Sequence, residues 1–164
     1  MRKLVLGAMV AGLACATGAQ AQNKHIGEPS AAISQAVLVP AGAETLYVSG
    51  ITPPALNAGA PQGTPTQFGD TKTQVTGILN RIEAILKSQG YGFGDVVMMR
   101  VLLVGDPAKG GQMDFAGMME AYRAKFGTAE QPNKPARITS QVAALVAPGM
   151  LAEIEVQAAK PPKK

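Results

Sequence analysis

Two runs near the C-terminus, Lys134-Pro-Ala-Arg137-Ile-Thr-Ser-Gln-Val142 and Leu151-Ala-Glu153-Ile-Glu155-Val-Gln-Ala158, decide how the chain is read. Each alternates polar and apolar residues, the period of a strand with one covered face. Strands are predicted over 135–146 and 151–158, joined by Ala147-Pro148-Gly149-Met150. Arg137, Thr139 and Gln141 share one face of the first, and Glu153, Glu155 and Gln157 share one face of the second. Read as neighbours, the two strands present a common polar face to water or to a cleft. An arginine at a strand end offers a planar fork that grips a carboxylate through two parallel hydrogen bonds, and a nearby carboxylate can act as base toward a water. The same residues fit equally well an ordinary cross-strand ion pair from Arg137 to Glu153 or Glu155.

The strands need something to pack on, and two helices are legible upstream. Asp70 or Thr71 can cap a helix in which Val75, Ile78, Leu79, Ile82, Ile85 and Leu86 recur at three-four spacing, with Gly90 as its stop. A second helix is expected over 112–126, with Phe115, Met118, Met119, Tyr122 and Phe126 on one side and Gly127 after it. The spacing of its methionines is that of core filler. Between the helices, 95–104 is apolar at almost every position, as in a central strand covered on both faces. Near the N-terminus, 33–39 and 45–49 flank a loop containing Gly42 and are predicted to form a hairpin. Four prolines and three glycines within 51–69 read as a long loop. The order β-β-α-β-α-β-β defines an α+β fold with a mixed sheet and both helices on one face. Self-association is the simplest cover for the other face.

The outermost residues belong to other tasks. Arg2 and Lys3 precede an apolar run over 4–14, and Ala19-Gln20-Ala21 supplies a small-x-small cleavage pattern, so 1–21 read as a signal peptide. The expected destination is periplasmic or secreted, with no membrane attachment after cleavage behind Ala21. A mobile leader is expected over 22–30, a single domain over 31–159 and a basic disordered tail over 160–164. Cleavage removes Cys15, the only cysteine, and lowers the formal charge from +4 to +2. The mature chain therefore has no thiolate for a disulfide, a nucleophile or a metal. His25 is the only histidine, and the sequence places no group to orient it. No phosphate-binding glycine loop opens a helix, and no basic stripe with interleaved aromatics suggests nucleic acid. At 46% apolar and 16% charged residues, the composition is that of a globular domain able to bury a core.

The motifs resemble those of the RidA (YjgF) family of reactive-intermediate deaminases, formerly endoribonuclease L-PSP. Pro135-Ala136-Arg137 followed by Glu153-Ile154-Glu155 is similar to that family's C-terminal signature. Ser34-Gln35-Ala36-Val37, Ser49-Gly50-x-x-Pro53, Ala84-Ile85-Leu86, Asp95-Val96-Val97 and Asp114-Phe115 to Tyr122 and Phe126 match in order, over 32–158. The resemblance implies a chorismate-mutase-like subunit in a homotrimer with clefts between subunits. It also implies hydrolysis of reactive 2-imino or enamino acids to keto acids and ammonia without metal or organic cofactor. On these positions it implies Arg137 as the grip on a small carboxylate substrate, Glu153 as the residue that positions or activates water, and Ser49 at the cleft. Departures fall beside them: Ile33 replaces a tyrosine, Met119 an asparagine, Thr139 a cysteine and Ile51 a glutamine. A cleft lined by Ile33 and Met119 suits a bulkier or less polar ligand, and a trimeric carboxylate-binding protein or holdase without turnover is the alternative reading.

Overall fold

A computed structural model describes residues 22–162. The expected signal peptide, Cys15 included, and the last two lysines of the tail lie outside the described residues. Nine elements follow in order: β1 (Lys24–Ile26), β2 (Ala36–Leu38), β3 (Glu44–Ile51), α1 (Pro65–Phe68), α2 (Thr71–Ser88), β4 (Val96–Val104), α3 (Phe115–Arg123), β5 (Ala136–Val142) and β6 (Ala152–Lys160).

Both long helices form for the reasons their sequences give. The Asp70 carboxylate accepts the Thr73 N–H at 2.8 Å, filling one of the unpaired donors at the start of α2. Val75, Ile78, Leu79, Ile82 and Leu86 form its buried face. After Ser88 the chain reverses at Gly90, whose φ of 74° is left-handed and open to glycine at little cost. Asp114 caps α3 by accepting the Gly117 N–H at 3.1 Å, so this helix starts three residues later than periodicity alone suggests. Its Met118, Met119 and Tyr122 are buried, and Tyr122 stacks on Phe126 with ring centroids 4.8 Å apart.

Four strands make one mixed sheet in the order β3-β6-β4-β5, with β5 parallel to β4 and the other pairs antiparallel. Val48, Met99, Val101, Leu103, Ile154 and Val156 point to the helices and are nearly sealed from water. Each such side chain contributes about 1.5–3 kcal/mol when fully buried. The opposite face carries Tyr47, which is 72% exposed, Ile138, which is 48% exposed, and Met98, Arg100, Leu102, Glu153 and Glu155. Both helices lie on one side, as expected. A register shift between Val96 and Met98 departs from simple alternation and buries both Val96 and Val97.

Four expectations are corrected. The segment 33–39 does not form a hairpin with β3; its strand, Ala36–Leu38, pairs antiparallel with Lys24–Ile26 in a separate ribbon. The expected mobile leader thus supplies a strand, and His25 is oriented after all: its Nδ1 lies 2.8 Å from the Lys134 carbonyl oxygen. At the other end Lys160 belongs to β6 rather than to a disordered tail, hydrogen-bonds the Gly90 carbonyl and lies over the Tyr91 ring. The long loop 51–69 also contains α1.

One buried polar residue ties the loops together. Gln74, 1% exposed on α2, donates from Nε2 to the carbonyls of Gly69 at 3.0 Å and Gly149 at 2.9 Å, and its Oε1 accepts the Leu151 N–H at 2.7 Å. Three segments distant in sequence are held at one point, with every polar atom of the amide used in a place where an unpaired one is expensive.

Candidate functional site

Register decides where the candidate residues point. Arg137 lies opposite Met99, so its side chain is on the helix-covered face. Glu153 lies opposite Leu102, on the open face. The expectation that the two share a polar face is wrong, because β4 stands between β5 and β6 and sets their phases independently. The cross-strand ion pair is made instead by Arg100, whose Nη1 is 2.6 Å from Glu155 Oε1.

The Arg137 guanidinium sits in an apolar, sulfur-rich wall. Nη2 is 3.2 Å from Met119 Sδ, Nη1 is 4.0 Å from Met118 Sδ, and the group lies 4.4 Å from the Tyr122 ring centroid and 5.9 Å from that of Phe115. Thioethers are weak acceptors, so the five-donor fork has no strong partner, and no carboxylate of the described residues pairs with it. Burial lowers its pKa below the usual arginine value, with nearby Tyr122 opposing and Arg123 adding to the shift. An arginine nevertheless stays charged. Desolvation pushes the Tyr122 phenol up to about 12, against the influence of Arg137, and its hydroxyl is buried without a hydrogen-bond partner. Thr139, two residues along the same face, also has a buried, unpartnered hydroxyl oxygen. Ile33 packs on the core next to Ser34, which bridges to Ala136 in parallel fashion.

Around Glu153 the structure is open. The carboxylate has no hydrogen-bond or ion-pair partner among the described residues, and with Gly50, Arg100, Leu102 and Glu155 it lines a small hollow. A Cβ on Gly50 would overlap the Glu153 carboxylate oxygen, so this strand position must be glycine for the acid to lie where it does. Gly50 and the exposed Ser49 fall where the pairing of β3 with β6 slips between Val48 and Ile51. Of the residues the sequence named, Arg137 meets Met119 on the helix face with Thr139 two residues along, Ile33 packs on the core, and Glu153 lies on the open face beside Gly50, the neighbour of Ser49. It did not single out Phe115, Met118 and Tyr122 as the wall of the arginine, because their spacing also fits plain core. Among the described residues no cluster of three or more histidine, cysteine or acidic side chains could hold a metal, and no helix is long and apolar enough to cross a membrane.

A mixed four-stranded sheet backed by two long helices, with Arg137 on the covered face and Glu153 on the open one, defines an α+β domain. The endoribonuclease L-PSP family profile matches residues 24–160, and the chain belongs to that family, also known as RidA (YjgF). A RutC family protein from Pyrococcus horikoshii is 38% identical over 92 residues, which is 56% of this chain and 64% of that protein, so the chain spans less than two thirds of that relative's length. Among solved structures, the fold is similar to YyfB of Yersinia pestis, a protein of unknown function of the conserved Rid family (26% identity, TM-score 0.62, covering 83% of this chain and 97% of that one). TdcF of E. coli, solved with bound serine, gives 26% identity and a TM-score of 0.55 over 82% of this chain and 90% of its own.

Proposed function

We propose that this protein is a cofactor-independent hydrolase of reactive 2-imino or enamino acids, exported from the cytoplasm and active as a homotrimer. One observation carries the reading: Arg137 holds an unneutralised guanidinium fork in a desolvating wall, while Glu153 waits without a partner on the other side of the sheet. Within one chain they cannot serve one small substrate. Across two chains they can, if the open face, with exposed Tyr47 and Ile138, packs on a neighbour. The serine bound to TdcF is a small carboxylate of the right kind, which supports the assignment by likeness alone.

In this reading the substrate carboxylate takes the two parallel hydrogen bonds that the thioethers of Met118 and Met119 cannot match. Glu153 of the adjacent subunit orients a water and accepts its proton as the oxygen attacks the C=N carbon. The resulting carbinolamine receives that proton on nitrogen and collapses, so that imine and water become a 2-keto acid and ammonia. The buried hydroxyls of Tyr122 and Thr139 are available to orient the ligand.

The test uses mature protein lacking residues 1–21 and imino acids freshly generated by an amino-acid oxidase. Accelerated keto-acid release, lost in both Arg137→Ala and Glu153→Gln, is expected, with a trimer in sedimentation. Activity that survives Arg137→Ala overturns the assignment. Stabilisation by keto acids without any turnover favours the binding-protein reading instead, which the apolar Ile33 and Met119 support.

A further inference from the structure

A cavity of about 430 Å³ lies apart from both Arg137 and Glu153. It opens where three loops converge: the end of the proline- and glycine-rich loop at Gly63 to Asp70, the exit of β4 at Val104 to Ala108, and the turn at Gly149 to Leu151. Its size falls within the range of small-molecule sites, roughly 300–1,000 Å³. The walls are built. Gln74 fixes Gly69, Gly149 and Leu151 from behind. Gly63, with φ of 77°, and Gly149, with φ of 80°, meet so closely that a Cβ on Gly149 would come within 2.9 Å of Gly63 Cα.

The lining is mainly apolar, and its chemistry is given by its exceptions. Asp106 is 6% exposed; its Oδ1 accepts the Ala108 N–H at 2.8 Å, and its other carboxylate oxygen has no protein partner. Asp70, the cap of α2, stands on the same wall, with its carboxyl held below the usual range first by the Thr73 side chain and backbone. Lys109 and Lys72 act on Asp70 from outside the cavity, and Lys72 is already paired with Glu120. No cationic side chain lines the space. An apolar hollow with a mostly buried, half-satisfied carboxylate is complementary to a compact apolar body ending in an ammonium group.

We infer that this cavity is a second ligand site, which takes small protonated amines with an apolar body, and that Asp106 is its anchor. The site is independent of imine hydrolysis and shares no side chain with it. The probes are phenethylamine, its neutral counterpart 2-phenylethanol and the anion phenylacetate, titrated into the full mature protein by calorimetry and by amide chemical shifts. Phenethylamine is expected to bind with shifts confined to 63–70, 104–108 and 149–151. Asp106→Asn, which keeps the oxygen that caps Ala108, is expected to weaken it about tenfold or more. Ala108→Trp, which fills the hollow from its rim, abolishes binding, and Glu153→Gln leaves it unchanged. The inference fails if phenethylamine does not bind, if 2-phenylethanol binds as tightly, if a correctly folded Asp106→Asn keeps full affinity, or if Glu153→Gln removes the binding.

Discussion

Replacing Gln74 with leucine tests whether a single buried amide holds the loops of this fold. Leucine has nearly the same bulk and suits a helix, so the substitution isolates hydrogen bonding from packing. It strands the Gly69 and Gly149 carbonyls and the Leu151 N–H, each now bonded to Gln74 at 2.7–3.0 Å. At about 1 kcal/mol for each stranded group, the low end because the loops lie near water, the loss is about 3 kcal/mol. For a domain of this size that lowers Tm by roughly 10 °C. Urea denaturation at fixed protein concentration is the assay, since assembly makes stability concentration-dependent. Gln74→Glu should be at least as destabilising, because it keeps the acceptor for Leu151 and turns the donors into a carboxylate facing two carbonyls. A loss below about 0.5 kcal/mol for Gln74→Leu, the range of ordinary surface changes, refutes the reasoning.

Arg137→Met should leave stability unchanged or raise it by about 1 kcal/mol while abolishing keto-acid binding, since it removes a buried cation that has only sulfur and ring partners; paired denaturation and calorimetry check both halves. Gly50→Ala should retain the fold by circular dichroism and lose turnover, because the new methyl displaces the Glu153 carboxylate. In an ultraviolet titration one phenolate should appear only near pH 12, and Tyr122→Phe should remove that step. Glu83 accepts from Lys125 and Lys87, and the Lys125 hydrogen bond is the larger cause of its lowered pKa. Its contribution is therefore present above the ordinary value of 4.5 and is lost as pH falls through the lower folded value. Glu83→Gln should flatten that acid limb by under about 1 kcal/mol, read from stability curves between neutral and acid pH.

Local signals were legible in the chain and long-range pairings were not. The faces of α2 and α3 follow from spacing, and Asp70 and Gly90 mark ends of α2 that capping and backbone freedom explain, whereas α3 ends at Arg123, short of the expected stop at Gly127. Alternation within β5 and within β6 was also correct. What alternation cannot give is the phase of one strand against another, which depends on β4 lying between them and on the pairing of Met99 with Arg137 and Leu102 with Glu153. Likewise Ala36–Leu38 reads as half of a hairpin, yet it pairs across a longer connection with residues near His25. The wall of Arg137 was hidden because a methionine beside a guanidinium and a methionine in plain core have the same helical spacing.

The placement of Arg137 and Glu153 on opposite faces has a genetic consequence under the proposed assembly. Each subunit would contribute an anion-gripping half to one cleft and a water-orienting half to another, so two dead variants are complementary rather than equivalent. Co-refolding Arg137→Ala chains with Glu153→Gln chains should restore activity in about a quarter of the clefts, the fraction in which an intact arginine meets an intact glutamate at random. Neither variant alone would recover any activity. A cleft built within one chain would give no recovery from the mixture.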